Sequence, residues 1–245
     1  MFPLQTSVRS CRPPVVTVAL IIANAAVFLF EAGLSPEALE AFIHTFGLVP
    51  ARQQWALAHA PARLDLWALP AVSSMFLHGG WAHIVGNMLF LWVFGDGVEN
   101  RLGHGRFFAF YLLTGLAAGQ AQVFAHPASQ VPLVGASGAI SGVLGSFLLL
   151  YPRAWVTLMV PVLFFPFFFE LPALTFLLFW FFQQLVAGTV WALSDAAAQA
   201  GGVAWWAHVG GFAAGILLLG VFLDRHHKGY RQRRYCDPYA YSERY

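Results

Sequence analysis

The sequence predicts an all-α membrane protein with six transmembrane helices and a first external loop that is itself partly helical. Of its 245 residues, 59% are hydrophobic and only 10% are charged, whereas a soluble domain carries about 25% charged residues. Several nearly uncharged windows approach the roughly 20 apolar residues that cross the core of a bilayer. Too few polar side chains remain to cover a soluble surface, and a net charge of +2 is small for a nucleic-acid-binding protein.

Six apolar segments account for the predicted spans. They are residues 15–30, 83–98, 107–124, 135–151, 171–193 and 206–223. The first begins after two arginines, as a secretory signal would, but its apolar stretch is longer than a signal core, which favours an uncleaved anchor. We expect residues 1–14 to form a cytosolic N-terminal segment, 15–223 the six-span domain and 224–245 a basic cytosolic tail that meets lipid headgroups.

Two of the connections between the spans are predicted to contain structure of their own. Residues 155–169 are apolar but contain Pro161 and Pro166, which resist a continuous helix, so we expect a short segment that does not cross the membrane. The first external loop, 35–80, starts with Ser35-Pro36-Glu37, a pattern typical of a helix N-terminus. The amphipathic residues that follow predict a helix lying at the outer surface of the membrane.

The distribution of cations predicts the orientation of the chain. With six spans, one side carries nearly all of them: Arg9, Arg12, Arg101, Arg106, Arg153, Arg225, Lys228, Arg231, Arg233, Arg234 and Arg244. Only Arg52 and Arg63 fall on the other side. By the positive-inside rule, both termini are cytosolic.

Strongly polar residues inside the spans are the candidate site residues, because such groups are costly in lipid. They are His83 and Asn87 with His78 just before them, Gln120, Gln122, Ser137, Ser141, Gln183, Gln184 and His208. For the four glutamines, hydrogen bonding between helices or at the membrane interface is the favoured interpretation. For Ser141, packing or bonding to its own helix is favoured.

A serine and a histidine at the same membrane depth suggest nucleophilic catalysis. Ser137 starts the fourth span, where free backbone N–H groups suit a developing anion, and His208 starts the sixth. Glycine pairs at GxxxG spacing, Gly138 with Gly142 and Gly211 with Gly215, allow these two spans to approach closely. A neutral imidazole could then accept the serine proton and return it to a leaving amine. No Asp or Glu lies in a span near His208, so the pair would act as a dyad.

Four motifs in this order resemble the rhomboid family of intramembrane serine proteases. They are His78-Gly-Gly-Trp-Ala-His83-Ile-Val-Gly-Asn87, Val98-Glu99-Asn100-Arg101-Leu102-Gly103, Gly135-Ala-Ser137-Gly138, and Ala207-His208-Val-Gly-Gly211-Phe-Ala-Ala-Gly215. The resemblance covers most of the chain and implies a six-helix rhomboid-like bundle. It also implies that Ser137 is the nucleophile, His208 the general base, and Asn87 and His83 the lining of the oxyanion site.

The chain departs from the family pattern at two places. Many members have a Trp-Arg pair before the second span, where this chain has Leu69-Pro70. Some members have an aromatic residue four positions after the nucleophile, where this chain has Ser141. Another aromatic residue, Trp205 or Trp206, could then orient His208.

The resemblance implies a serine endopeptidase that cleaves single-span or multi-span membrane proteins in or beside their transmembrane segments. We expect no metal, since HExxH is absent, and no cofactor or nucleic acid. We expect a bacterial inner membrane as the location. One alternative is a catalytically silent rhomboid-like protein that binds and escorts membrane clients; it would normally lack the Ser or the His. Another is a transporter or haem-binding bundle that uses His83 and His208, which an inverted repeat would favour.

Overall fold

The fold is mostly helical, as predicted, with one small sheet. The computed structural model describes residues 1–163, 165–192 and 204–223. In chain order the elements are β1 (Phe2–Thr6), α1 (Val15–Ala32), α2 (Pro36–Phe46), α3 (Pro50–His59), α4 (Leu64–Ser73), a 3₁₀ turn (Ser74–Phe76), α5 (Trp81–Leu102), α6 (His104–Ala125), α7 (Ser137–Leu150), β2 (Trp155–Val162), β3 (Phe165–Pro172), α8 (Ala173–Ala192) and α9 (Trp205–Phe222). The predicted tail, 224–245, lies outside the described residues, as does Leu193, the last residue of the predicted fifth span.

Four helices of the described chain are long and apolar enough to cross a membrane: α1, α6, residues 173–190 of α8, and α9. Two more occupy the other predicted spans. Helix α5 has 22 residues but is more polar, and α7 has only 14, about 21 Å at 1.5 Å per residue. The prediction of a helical, multi-pass membrane protein is confirmed, and the count of six full spans is approximate because α7 is short.

Successive helices alternate in direction, which gives the bundle two ends. Helices α1, α6 and α8 begin at one end, here called the arginine-rich face, near which Arg101, Arg106 and Arg153 lie. Helices α5, α7 and α9 begin at the other end, here called the opposite face. The long first loop, with α2 to α4, lies at the opposite face.

Helix α7 lies at the centre of the bundle, and glycines explain how its neighbours reach it. Eleven of its residues are buried, from Gly138 to Leu148. A methyl group added at Gly211 of α9 would overlap the carbonyl oxygen of Gly138, and one added at Gly215 would overlap that of Gly142. The two GxxxG pairs thus bring the backbones of α7 and α9 into direct contact.

The segment between α7 and α8 forms a β-hairpin, and the N-terminal residues add a third strand to it. The sheet order is β1-β2-β3, and both pairings are antiparallel. Val156 and Leu158 of β2 are fully buried against the helices, while Phe165, Phe167 and Phe168 of β3 are exposed. The sequence analysis predicted neither this sheet nor a strand within residues 1–14.

The first loop contains three helices where the sequence analysis predicted one. Helix α2 starts at the predicted cap, since the Ser35 hydroxyl accepts a hydrogen bond of 3.3 Å from the Ala38 N–H, and it buries no residue. The Arg52 guanidinium of α3 donates to the carbonyls of His44, Thr45 and Gly47 at the end of α2. These bonds satisfy the free carbonyls of that helix end.

Glu99 joins three helices at the arginine-rich face. Its buried carboxylate accepts hydrogen bonds from the backbone N–H groups of Val16 and Thr17, at 2.8 and 2.7 Å, and from the Thr17 hydroxyl at 2.7 Å. Its other contact is the His104 ring Nδ1 at 2.6 Å. An anion is favourable where free N–H groups begin a helix, so Glu99 of α5 caps α1 and also contacts the start of α6.

Candidate active site

Ser137 and His208 meet at the opposite face of the bundle. Ser137 is the first residue of α7, and His208 lies in the first turn of α9. The Ser137 Oγ is 2.8 Å from the His208 Nε2. This contact follows from the glycine packing of α7 on α9, because both side chains project from the same ends of two helices whose backbones touch.

Gln184 of α8 contacts the other nitrogen of the same imidazole. Its Oε1 is 2.8 Å from the His208 Nδ1, and both side chains are buried, at 6% and 9% exposed. Gln184 was one of the candidate polar residues, with a hydrogen bond between helices favoured over a catalytic role, and its contact with His208 of α9 is such a bond. The available signal was the Gln183-Gln184 pair in an otherwise apolar span, but the sequence did not indicate which of the two faces the interior.

Two tryptophan rings flank His208. The Trp180 ring of α8 lies 5.9 Å away at an interplanar angle of 35°, and the Trp205 ring meets the imidazole edge-on at 6.2 Å. Trp205 was one of the two aromatic residues expected here, and Trp180 was missed. Ser141 donates a 2.6 Å hydrogen bond to the Ser137 carbonyl, which matches its interpretation as a residue bonded to its own helix.

His83 and Asn87 lie side by side on α5 and converge on Gly135, two residues before Ser137. A methyl group added at Gly135 would lie 2.7 Å from the His83 Nε2 and 3.6 Å from the Asn87 Nδ2. Gly135 has a φ of +124°, a conformation that favours glycine. Its N–H donates to the Ser74 carbonyl at 2.9 Å, which holds the backbone before the serine.

Both side chains are available as hydrogen-bond donors. The Gly79 N–H donates to the His83 Nδ1 at 3.4 Å, so the proton of a neutral His83 is on Nε2, the nitrogen that faces Gly135. The Asn87 Nδ2 is buried and has no partner among the described residues. The two donors therefore lie beside Gly135, two residues before Ser137 in the chain.

His78 lies behind His83 and does not reach the serine. Their rings are 5.1 Å apart at 66°, and the His78 N–H donates to the Glu31 carboxylate at 3.2 Å. Burial lowers the pKa of His78, which precedes α5, to about 4. His78 is consequently neutral at pH 7 and supports His83 by packing.

The remaining motif residues pack the helices against one another or lie at the other end of the bundle. Gly138, Gly211 and Gly215 form the contact between α7 and α9. Glu99 and the exposed Arg101 lie at the arginine-rich end of α5. Within residues 1–163, 165–192 and 204–223, no three His, Cys, Asp or Glu side chains cluster closely enough to hold a metal ion.

Known proteins are similar to this chain in sequence. Residues 64–225 match the Rhomboid domain family. The chain is 32% identical over 167 residues to Rhomboid protein 1, mitochondrial, of Saccharomyces cerevisiae, covering 66% of this chain and 44% of that protein. It is 29% identical over 174 residues to RHOMBOID-like protein 5 of Arabidopsis thaliana, covering 71% and 50%.

A third match is more local. Rhomboid protease GluP of Bacillus subtilis is 40% identical over 87 residues, covering 36% of this chain and 16% of that protein. The chain thus spans half or less of the length of these curated relatives. Because the family match extends over most of the chain, from α4 to the end of α9, the protein belongs to the rhomboid family.

Proposed function

We propose that this protein is an intramembrane serine endopeptidase that hydrolyses peptide bonds in or next to the transmembrane segments of single-span or multi-span membrane proteins. The observation that carries the proposal is the 2.8 Å contact between the Ser137 Oγ and the His208 Nε2. It lies beside the donors of His83 and Asn87, at the end of a helix bundle. The similarity to a protein named Rhomboid protease GluP supports the same activity.

The reaction divides into two steps. The Ser137 oxygen attacks the peptide carbonyl carbon while His208 takes the hydroxyl proton, and the carbonyl oxygen accepts hydrogen bonds from His83 and Asn87. His208 then gives the proton to the leaving amine as the C–N bond breaks, which leaves an ester on Ser137. A water molecule, losing its proton to His208, attacks the ester and releases the new carboxyl group, and the serine regains its proton.

The substrate class follows from where the site lies. A helical substrate keeps its carbonyls bonded within its own backbone, so the cleaved segment must unwind before Ser137 can attack. Ser137 is only half-buried at the start of the short α7, close to the opposite face. The proposed substrates are therefore transmembrane segments with helix-breaking residues near that face. Protease and substrate would lie in the same lipid bilayer.

Location and domain extent are also part of the proposal. The arginines near the start of α1 and the ends of α5 and α7 support cytosolic termini, in what we propose is a bacterial inner membrane. The protease domain is proposed to include residues 15–223, since Glu99 binds α1 to α5.

The test is cleavage of a single-span substrate by the full chain in detergent, with a fluorophosphonate probe as a second readout. Ser137→Ala and His208→Ala are each expected to lower cleavage by about 10³-fold or more, as in other serine hydrolases. The matched control is Ser146→Ala, because the Ser146 hydroxyl donates to the Val143 carbonyl of the same helix. Wild-type cleavage by either site variant would refute the dyad, and client binding without any cleavage would indicate an escort protein instead.

A further inference from the structure

Gln184 holds His208 from the side opposite to Ser137. We propose that Gln184 is a positioning residue: its carboxamide oxygen keeps the imidazole in the tautomer that has its proton on Nδ1, so that the Nε2 lone pair faces the Ser137 hydroxyl. This inference rests on the proposed function and identifies what orients the base in a site that has Ser141 where some family members have an aromatic residue.

The direction of the amide follows from its second hydrogen bond. The Gln184 Nε2 donates to the Trp180 carbonyl, one turn earlier in α8, at 3.2 Å. The oxygen of the same amide is therefore the atom that faces His208, at 2.8 Å. A carboxamide oxygen can only accept a hydrogen bond, which requires the proton to be on Nδ1 and leaves Nε2 as an acceptor for Ser137.

Burial makes this partner difficult to replace. Gln184 is 6% exposed and His208 is 9% exposed, so little water can reach Nδ1 if the amide is removed. No carboxylate of the described chain is hydrogen-bonded to His208. An unpaired Nδ1–H in an apolar site is costly, and the imidazole would relieve that cost by changing tautomer or rotating away from Ser137.

The two residues of α8 that contact His208, Trp180 and Gln184, lie one helical turn apart. The Trp180 carbonyl accepts the Gln184 amide, and the Trp180 ring lies 5.9 Å from the His208 ring. Gln183, the adjacent residue, points the other way and is exposed. The chain therefore offers a matched control of the same residue type at the next position.

The experiment compares three variants of the full chain in proteoliposomes. Gln184→Met keeps the length of the side chain but removes the acceptor, Gln184→Glu keeps an acceptor oxygen, and Gln183→Met is the control. We expect Gln184→Met to lower kcat by about 10- to 100-fold, by analogy with the loss of a partner that orients a metal-binding histidine, with little change in KM. Gln184→Glu is expected to recover most of the lost kcat, and Gln183→Met to match the wild type.

Nitrogen NMR of protein labelled at its histidine rings gives a readout that a purely structural role would not change. The wild-type His208 is expected to show a protonated Nδ1 and an unprotonated Nε2, and Gln184→Met is expected to lose that single tautomer. Unchanged kcat, or an unchanged His208 spectrum, in Gln184→Met would overturn the proposal. If the wild-type protein proved inactive, the proposed function would fail. The spectra would still show whether Gln184 determines the tautomer of His208.

Discussion

Asn87 carries a buried hydrogen-bond donor that fits the proposed oxyanion site. Its Nδ2 is buried and has no partner among the residues that the structure describes, and leaving such a group unpaired costs about 1–3 kcal/mol. His83 lies one turn before it, with its Nε2 aimed at the same place beside Gly135. A peptide carbonyl that becomes an oxyanion next to Ser137 would satisfy both donors.

Replacing Asn87 with alanine is expected to lower kcat by about 10²- to 10³-fold, the usual cost of losing one oxyanion donor. Asn87→Asp should have an effect at least as large, because it removes the donor and places a carboxylate near the developing negative charge. Steady-state cleavage in proteoliposomes provides the measurement. The control is Asn24→Ala on α1, whose buried amide donates to the Leu20 carbonyl of its own helix. Wild-type kcat in Asn87→Ala would contradict the proposed role.

At the scale of elements, the contact between α7 and α9 determines the distance between the serine and the histidine. Each helix carries one member of the pair at its start, and the glycines below them leave no room for side chains. Because the atoms opposite Gly211 and Gly215 belong to backbone carbonyls, they cannot move aside as a flexible side chain can. A larger residue would separate the two helices along their length.

The variant Gly215→Ala is therefore expected to destabilise the protein by about 1–3 kcal/mol, the range for overpacking a tight interface. It should also lower cleavage, since the separated helices move His208 away from Ser137. Thermal unfolding followed by tryptophan fluorescence in detergent would measure the first effect. In the control Gly220→Ala, on the same helix, the added methyl group meets nothing within 4 Å, and its Tm should not fall, because alanine favours a helix more than glycine does. Equal Tm values for the two variants would show that the interface tolerates the methyl group.

At the scale of the whole molecule, the proposed active site and the arginine-rich face lie at opposite ends of the bundle. The start of α5 carries His83 and Asn87, whereas its other end carries Glu99, which caps α1, and Arg101. The small sheet lies at the charged end, where β2 pairs with the N-terminal strand β1. By the positive-inside rule, we expect the end that carries Ser137 and His208 to face away from the cytosol.

This orientation predicts the behaviour of reporter fusions in a bacterial host. Green fluorescent protein joined to either terminus should fluoresce, because both termini would be cytosolic, and alkaline phosphatase joined there should be inactive. Phosphatase inserted in the first loop, between α2 and α3, should be active. Active phosphatase at a terminus would mean that the number of spans is odd or that the orientation is reversed.

Much of the site was predictable because lipid makes polar residues conspicuous. Ser137, His208, His83 and Asn87 are polar groups at the ends of apolar segments. The four-residue spacing of His83 and Asn87 predicted that these two share a face of one helix. Gln184 was also recognisable as a polar residue in an apolar segment. Its role depends on the rotation of α8 about its axis, which buries Gln184 and leaves Gln183 exposed. The Trp180 ring was missed for the same reason, since aromatic residues are common in spans and only packing brings one against His208.

The sheet was not predictable from local pattern. Strand β1 pairs with β2 across about 150 residues, for example Pro3 with Leu158, and neither strand shows by itself which segment it will pair with. The prolines of 155–169 correctly argued against a helix there, but they did not identify the hairpin. The division of the first loop into three helices likewise depends on contacts such as that of Arg52 with the end of α2.

By itself, the sequence determined that this protein is helical and embedded in a membrane, which residues are candidates for the reaction, and which family it resembles. These conclusions follow from composition and short-range spacing, because a bilayer penalises every polar side chain in a span. Only the tertiary structure decided that Ser137 and His208 are in contact, that Gln184 and Trp180 complete the surroundings of His208, and that a sheet closes the arginine-rich end. The surroundings of His208 depend on how the helices rotate and approach one another, which for α7 and α9 is set by glycine contacts. The sheet depends on pairing between strands that are far apart in the chain.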